Sequence, residues 1–141
     1  MKKFIIATAI ATTAMFASAA DVSVSAVHDY AVSKTGLKAS TSAFGVGVNV
    51  AYIDGVYTRY GVSKDFALMS VGPVAVGATV GGIYQNTYNG TSGMGLTAGV
   101  KATMPLSKSM TLNVGVDRFM GQDRVSAFDG NSVSAGVTVK F

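Results

Sequence analysis

The sequence predicts an all-β chain of eight antiparallel strands closed into an up-and-down barrel, and three observations predict it. Apolar and small polar residues alternate with a period of two over most of the chain, which is the strand period. Val, Gly, Ser, Thr, Ala and Tyr dominate, whereas Glu is absent and all seven acidic residues are Asp. After the first twenty residues no apolar run is long enough for a membrane-spanning helix. The 141 residues suffice for one domain and not two.

In chain order, the first segment is an export signal. Met1-Lys2-Lys3 is a basic start, Phe4 to Phe16 is an apolar run diluted only by Thr8, Thr12 and Thr13, and Ala17-Ser18-Ala19-Ala20 supplies the small residues a signal peptidase needs. Residues 1–20 are therefore expected to be removed, with cleavage after Ala19 or Ala20, leaving a barrel domain of residues 21–141. Without Lys2 and Lys3 the eleven basic residues fall to nine against seven acids, a net charge of +2, so the basic pI is no argument for nucleic-acid binding. The chain has no Cys, which excludes a lipid-anchored lipoprotein and any disulfide framework. Something other than cross-links must stabilise it, and a lipid setting would.

The strands follow. Val22, Val24 and Ala26 alternate with Ser23 and Ser25 in the first. The next segment runs from Ala43 to Tyr52, with Phe44, Val46, Val48, Val50 and Tyr52 on one face, and Asp54-Gly55 then reads as a tight hairpin turn. Val56 to Val71 reads as two shorter strands around Ser63-Lys64-Asp65, and Gly72-Pro73 closes the next turn. Val74 to Gly81, Gly95 to Met104 and Met110 to Asp117 alternate cleanly, the last two joined by the turn Pro105 to Ser109. The final strand places Val133, Ala135, Val137, Val139 and Phe141 on one face and Ser134, Gly136, Thr138 and Lys140 on the other.

The apolar face is expected to meet lipid. The polar face carries Gly, Ser, Thr and Asn rather than long charged residues, and small polar groups suit the inside of a narrow barrel. Aromatics cluster near segment ends at Tyr30, Phe44, Tyr52, Tyr84, Tyr88, Phe119 and Phe141, the placement of interfacial girdles. Charged residues make up only 13% of the chain. A closed barrel is the β-structure that leaves no unpaired backbone in hydrocarbon. With its signal, alternating strands and terminal Phe141, the sequence resembles the small outer-membrane barrels of OmpX and OmpA type. That resemblance implies an eight-stranded transmembrane barrel in the bacterial outer membrane. It also implies that Val133, Ala135, Val137, Val139 and Phe141 form the assembly signal read by the barrel-insertion machinery. The family often carries long extracellular loops. Here Asn86 to Ser92 and Gly121 to Asn131 are the longest clear ones, which argues against an adhesin.

Few residues invite chemistry. Lys101 and Asp117 are expected to face inward on neighbouring strands and to pair, with Arg59 joining the network. The pairing reads either as a charged conducting lumen or as a filling that fixes the barrel, and the narrow eight-stranded interior favours filling. Arg118, Arg124, Lys34 and Lys38 are candidates for contact with lipopolysaccharide phosphates; the alternatives are snorkelling or solvated loops. His28 with Asp29 and Ser33 suggests an acyl-transfer triad that would modify lipid A. Adjacent strand residues point to opposite faces, which argues against it. Gly45-Val46-Gly47 and Gly93-Met94-Gly95 lack the spacing and helix of a phosphate loop, and glycine there eases crowding in the lumen. Asn89-Gly90-Thr91 is a formal glycosylation acceptor of little weight in a bacterial-type precursor. No Cys/His cluster exists for zinc. The expectation is a monomeric, non-enzymatic, envelope-integrity barrel with a filled lumen, no metal or cofactor, and outer-membrane lipid as its surroundings. A narrow porin and a soluble periplasmic lipid-binding barrel are the alternatives.

Overall fold

The computed structural model describes residues 21–43 and 45–140; the expected signal, Phe44 and Phe141 lie outside the described residues. Eight strands form one closed antiparallel sheet. They are β1 (Asp21–Asp29), β2 (Lys34–Ala43), β3 (Val46–Ile53), β4 (Tyr57–Val71), β5 (Val74–Thr87), β6 (Ser92–Pro105), β7 (Met110–Gly121) and β8 (Gly130–Val139), with a 3-10 helix at Asp123–Phe128 before β8. Each strand pairs with its neighbour in sequence, and β1 pairs with β8 to close the ring.

The strand count agrees with the sequence reading, but two strands are not those expected. Lys34–Ala43 is a full strand between β1 and β3. Its outward positions Thr35 and Ala39 are weakly apolar or polar, so only Leu37 supplies the greasy face that alternation depends on. In the other direction, Tyr57–Val71 is one strand and not two. Ser63 and Asp65 are polar because they face the interior opposite Gly47 and Thr79. Lys64, between them, lies outward with its Nζ 5.5 Å from the Phe66 ring centroid. The polar triplet that resembles a turn is the wet face of a strand.

The registers fix the barrel's geometry. A path perpendicular to the strands runs from Asp21 through Ser42, Gly47, Ser63, Gly81, Thr97 and Phe119 to Gly130. Gly130 lies against Ala31, ten residues farther along than the starting point. That stagger tilts the strands by roughly 35–45° and sets a bore that side chains can fill.

Polarity is inverted relative to a water-soluble barrel. Val24, Val48, Val62, Val80, Val100 and Val116 stand 45–56% exposed on the outside, whereas inward Ser25, Asn49, Thr97, Asn113 and Ser134 are 6–9% exposed. The last strand follows the same rule: Val133, Ala135, Val137 and Val139 take the outward parity opposite Val24 and Leu112, and Ser134 faces in. The termini and the turns at 72–73 and 106–109 lie at one end, and the connections at 30–33, 54–56, 88–91 and 122–129 lie at the other. Tyr30, Tyr52, Tyr60, Tyr84 and Tyr88 all stand at that second, loop end. Phe119 departs from the expected girdle, because it is in phase with Asn113 and Asp117 and turns inward, where it is buried.

The β3–β4 hairpin turns at Gly55 with φ +70°, a conformation only glycine adopts without strain. Gly55→Val should lower the unfolding free energy by about 1–2 kcal/mol. Urea titration of the refolded barrel checks it, and an unchanged midpoint would contradict the turn geometry.

Candidate functional site: the barrel interior

The interior divides into an open half near the termini and a packed half under the loops. In the open half a cavity of about 450 Å³ is bounded by Lys38, Asp65, Lys101 and Asp117 among Ser, Thr and Asn side chains. Asp65 accepts from Lys101 Nζ at 2.6 Å and from Thr79 Oγ1 at 2.7 Å. Lys38 Nζ reaches Asp117 at 3.4 Å. On the opposite wall Asn113 donates to Ser23 Oγ and Thr138 Oγ1, and accepts from Ser25 Oγ. These groups are partly hydrated, and pairs of that kind contribute about 0–1 kcal/mol each.

This layout corrects two expectations. Lys101 and Asp117 both face inward but do not pair with each other: Lys101 sits opposite Gly115, and Asp117 opposite Gly99. Each takes its partner from across the lumen instead. Lys38, expected at the outer surface, is the inward partner of Asp117, because β2 is a strand and its even-numbered residues face in.

Arg59 belongs to the packed half, apart from Lys101 and Asp117. Its Nη1 meets Asp29 Oδ2 at 3.0 Å, with the two side chains only 6% and 2% exposed. Its Nε donates to Gln85 Oε1 at 2.7 Å, and Tyr57 Oη donates to the same Asp29 oxygen. The guanidinium lies between two rings, 4.0 Å from the centroids of both Tyr57 and Phe119. Arg59 Nη2 has no hydrogen-bond partner among the described residues, and the ring faces supply the cation with compensating attraction. Phe128, brought in by the 3-10 helix, meets Tyr57 edge-on at 6.1 Å. Ile83, Phe119 and Val125 form the apolar cluster above. Gly95 makes room for it, since a Cβ there would stand 2.5 Å from the Phe119 ring.

Asp29, Tyr57, Gln85 and Phe119 were not singled out from the sequence as lumen groups, although parity marks them. Asp29 continues the phase of Ser23 and Ser25, and Gln85 that of Thr79 and Gly81. Elsewhere, His28 lies on the outward face with Nδ1 2.9 Å from Thr35 Oγ1, while the neighbouring Asp29 is buried in the lumen. Ser33 sits in the exposed turn after β1. Arg118 is outward near the loop end, within 3.4 Å of Asn131. Arg124 on the 3-10 helix and Lys34 at the start of β2 are exposed at the same end.

The two halves predict unequal energetics. Asp29→Ala strands a buried guanidinium and should cost about 3–5 kcal/mol. Lys101→Met should cost less than about 1 kcal/mol. Unfolding titrations of both variants check the contrast, and equal losses would overturn the division.

No protein-family model matches the sequence, and no match was found among the curated proteins. Solved structures do match. A de novo designed transmembrane β-barrel superposes with a TM-score of 0.62 at 11% identity, covering 89% of this chain and 97% of the other. A second designed barrel, solved by solution NMR, gives 0.56 at 16% identity over 87% and 94%. Neisserial surface protein A gives 0.48 at 18% identity over 86% and 94%. The fold of this chain is that of the eight-stranded transmembrane β-barrels.

Proposed function

We propose that the chain is a bacterial outer-membrane barrel that serves envelope integrity as a non-enzymatic monomer and passes no steady ion current. One observation carries the reading: an apolar exterior encloses a polar interior that is closed by the Arg59–Asp29 layer. The outward valines of seven strands, with Leu37 on β2, suit acyl chains. A soluble lipid carrier needs the opposite polarity, with a dry centre to hold its ligand. The loop-end tyrosines fit a membrane–water interface, where an amphipathic ring meets both phases. Arg118, Arg124 and Lys34 at that end are suited to lipopolysaccharide phosphates. The outward face of β8 is the surface we assign to recognition by the barrel-insertion machinery. Export through the signal at residues 1–20 would deliver the chain there.

A narrow porin would need the packed layer to open, which would break the best-formed contacts in the interior. Reconstituted in planar bilayers, the wild-type protein should give no steady current, and Arg59→Ala combined with Phe119→Ala should give one. A defined wild-type conductance would favour the porin. Membrane insertion is tested separately. Val137→Arg puts a charge on the outward face, at a cost of about 2–4 kcal/mol near mid-membrane, and should abolish the heat-modifiable gel shift of a folded barrel. Unaltered insertion of that variant would refute the assignment.

A further inference from the structure

The wall of the barrel is uneven. β3 has 8 residues and β4 has 15. β3 pairs with β4 only from Tyr57 to Lys64, whereas β5 follows β4 to its end at Val71. The hairpin around Gly72-Pro73 therefore projects at the terminus-bearing end, on the order of 10 Å beyond β3 at the usual rise and tilt. Among the described residues, the β3 side of Asp65–Val71 has no strand partner.

This tongue is apolar on one side by construction. A bulge interrupts the register between Ala67 and Met69, leaving Leu68 as the extra residue. Before the bulge, even-numbered residues of β4 face outward. Continued unbroken, that parity would turn Met69 and Val71 inward and put Ser70 outside. The extra residue reverses it. Met69 and Val71 pair with Val76 and Val74 in the outward phase, and Ser70 pairs with Ala75 on the inner side. Phe66, Leu68, Met69 and Val71 remain 48–61% exposed. The outer face of the tongue thus continues the barrel's apolar band past the rim.

We propose that the β4–β5 tongue is a lipid anchor seated at the head-group boundary of the leaflet on the terminus side. The proposal rests on the membrane reading above and adds to it where this segment lies. Three observations fix the depth. On β5 the apolar outer face runs on from Val80 through Ala78 and Val76 to Val74, and on β4 Phe66, Met69 and Val71 resume it beyond Lys64. The unpartnered edge of Asp65–Val71 needs hydrogen bonds that hydrocarbon does not supply but head groups and interfacial water do. Lys64, outward at the level where β3 ends with its Nζ 5.5 Å from the Phe66 ring centroid, is a basic side chain of the length that reaches phosphate.

The chain has no Cys, so one introduced thiol labels one position. Val80→Cys, Met69→Cys and Ser70→Cys, each carrying an environment-sensitive fluorophore, would be reconstituted as the full mature chain in phosphatidylcholine vesicles, with and without brominated acyl chains. Val80 and Met69 should both emit at short wavelength and lose intensity in brominated lipid. Ser70 should respond instead to aqueous iodide. Loss of the Val80 response would sink the membrane reading itself. A normal Val80 response with Met69 quenched by iodide alone would overturn the anchor. So would protection of Met69 from both quenchers together with cross-linked dimers, which would mean that a second copy covers the tongue. Deleting Leu68 in the Met69→Cys and Ser70→Cys backgrounds removes the extra residue and leaves Met69 opposite Val76, so both responses should persist, and an exchange of responses would refute the role given to the bulge.

Discussion

Closure of the ring is the constraint from which the remaining features follow. Because β1 pairs with β8, backbone groups along the wall are satisfied by neighbouring strands, and the ladder does not need water on its outside. A self-satisfied wall is free to turn its apolar side chains outward. It must then put its polar ones somewhere, and the stagger of ten residues leaves a bore of limited width. Small residues are what fit: Ser23, Ser25, Ser134 and Thr138 on β1 and β8, and Gly77, Thr79 and Gly81 on β5. With no disulfide in the chain, closure and packing must also provide the resistance to unfolding.

The interior carries three acid–base pairs among its described residues, and their settings differ more than their chemistry. Asp65–Lys101 and Lys38–Asp117 border a wide, hydrated cavity where charges interact weakly. Asp29–Arg59 is dry, clamped by two aromatic rings and tied to Gln85 and Tyr57. A buried pair of this kind gives little net stability over an apolar filling, but removal of either partner is costly. Its effect is therefore to hold one arrangement against others. It fixes the side chains that cross the lumen under the loops, and the 3-10 helix with Val125 and Phe128 packs onto that fixed layer. The same layer underlies the proposed absence of ion flow.

Period-two alternation made most of the fold legible, because in a thin-walled barrel every strand must present one greasy and one wet face. The reading failed where a strand lacks one of the two signals. β2 has an almost neutral outer face, so Lys34–Ala43 reads as connection. Within β4, the polar residues Ser63 and Asp65 flank Lys64, and three polar residues in a row look like a turn. The two errors cancelled in the count of strands and not in their identity. Because the alternation does not mark β2, Lys38 reads as an outer-surface residue, although its position opposite Ser25 makes it a lumen residue. Parity identified Lys101, Asp117 and Arg59 as inward groups, but which acid meets which base depends on distances across the bore, and these arise only once eight registers are combined. Asp65 and Asp29 reach their partners from strands far away in sequence.

The bulge at Leu68 shows how strongly the two faces constrain the chain. An unbroken strand would have sent Met69 into a hydrophilic lumen and Ser70 out among valines, a misplacement repeated at every residue to the turn. One inserted residue shifts the phase and restores the match for all of them, at the cost of one interrupted rung in the ladder. Had the segment beyond the rim simply stood in water, neither phase would have been favoured and the interruption would have served nothing. The selection of the outward phase for Met69 and Val71 therefore implies that the surroundings at the level of the tongue still distinguish a greasy side chain from a polar one. That is the property of a membrane boundary, which is the position the proposed anchor gives to the tongue.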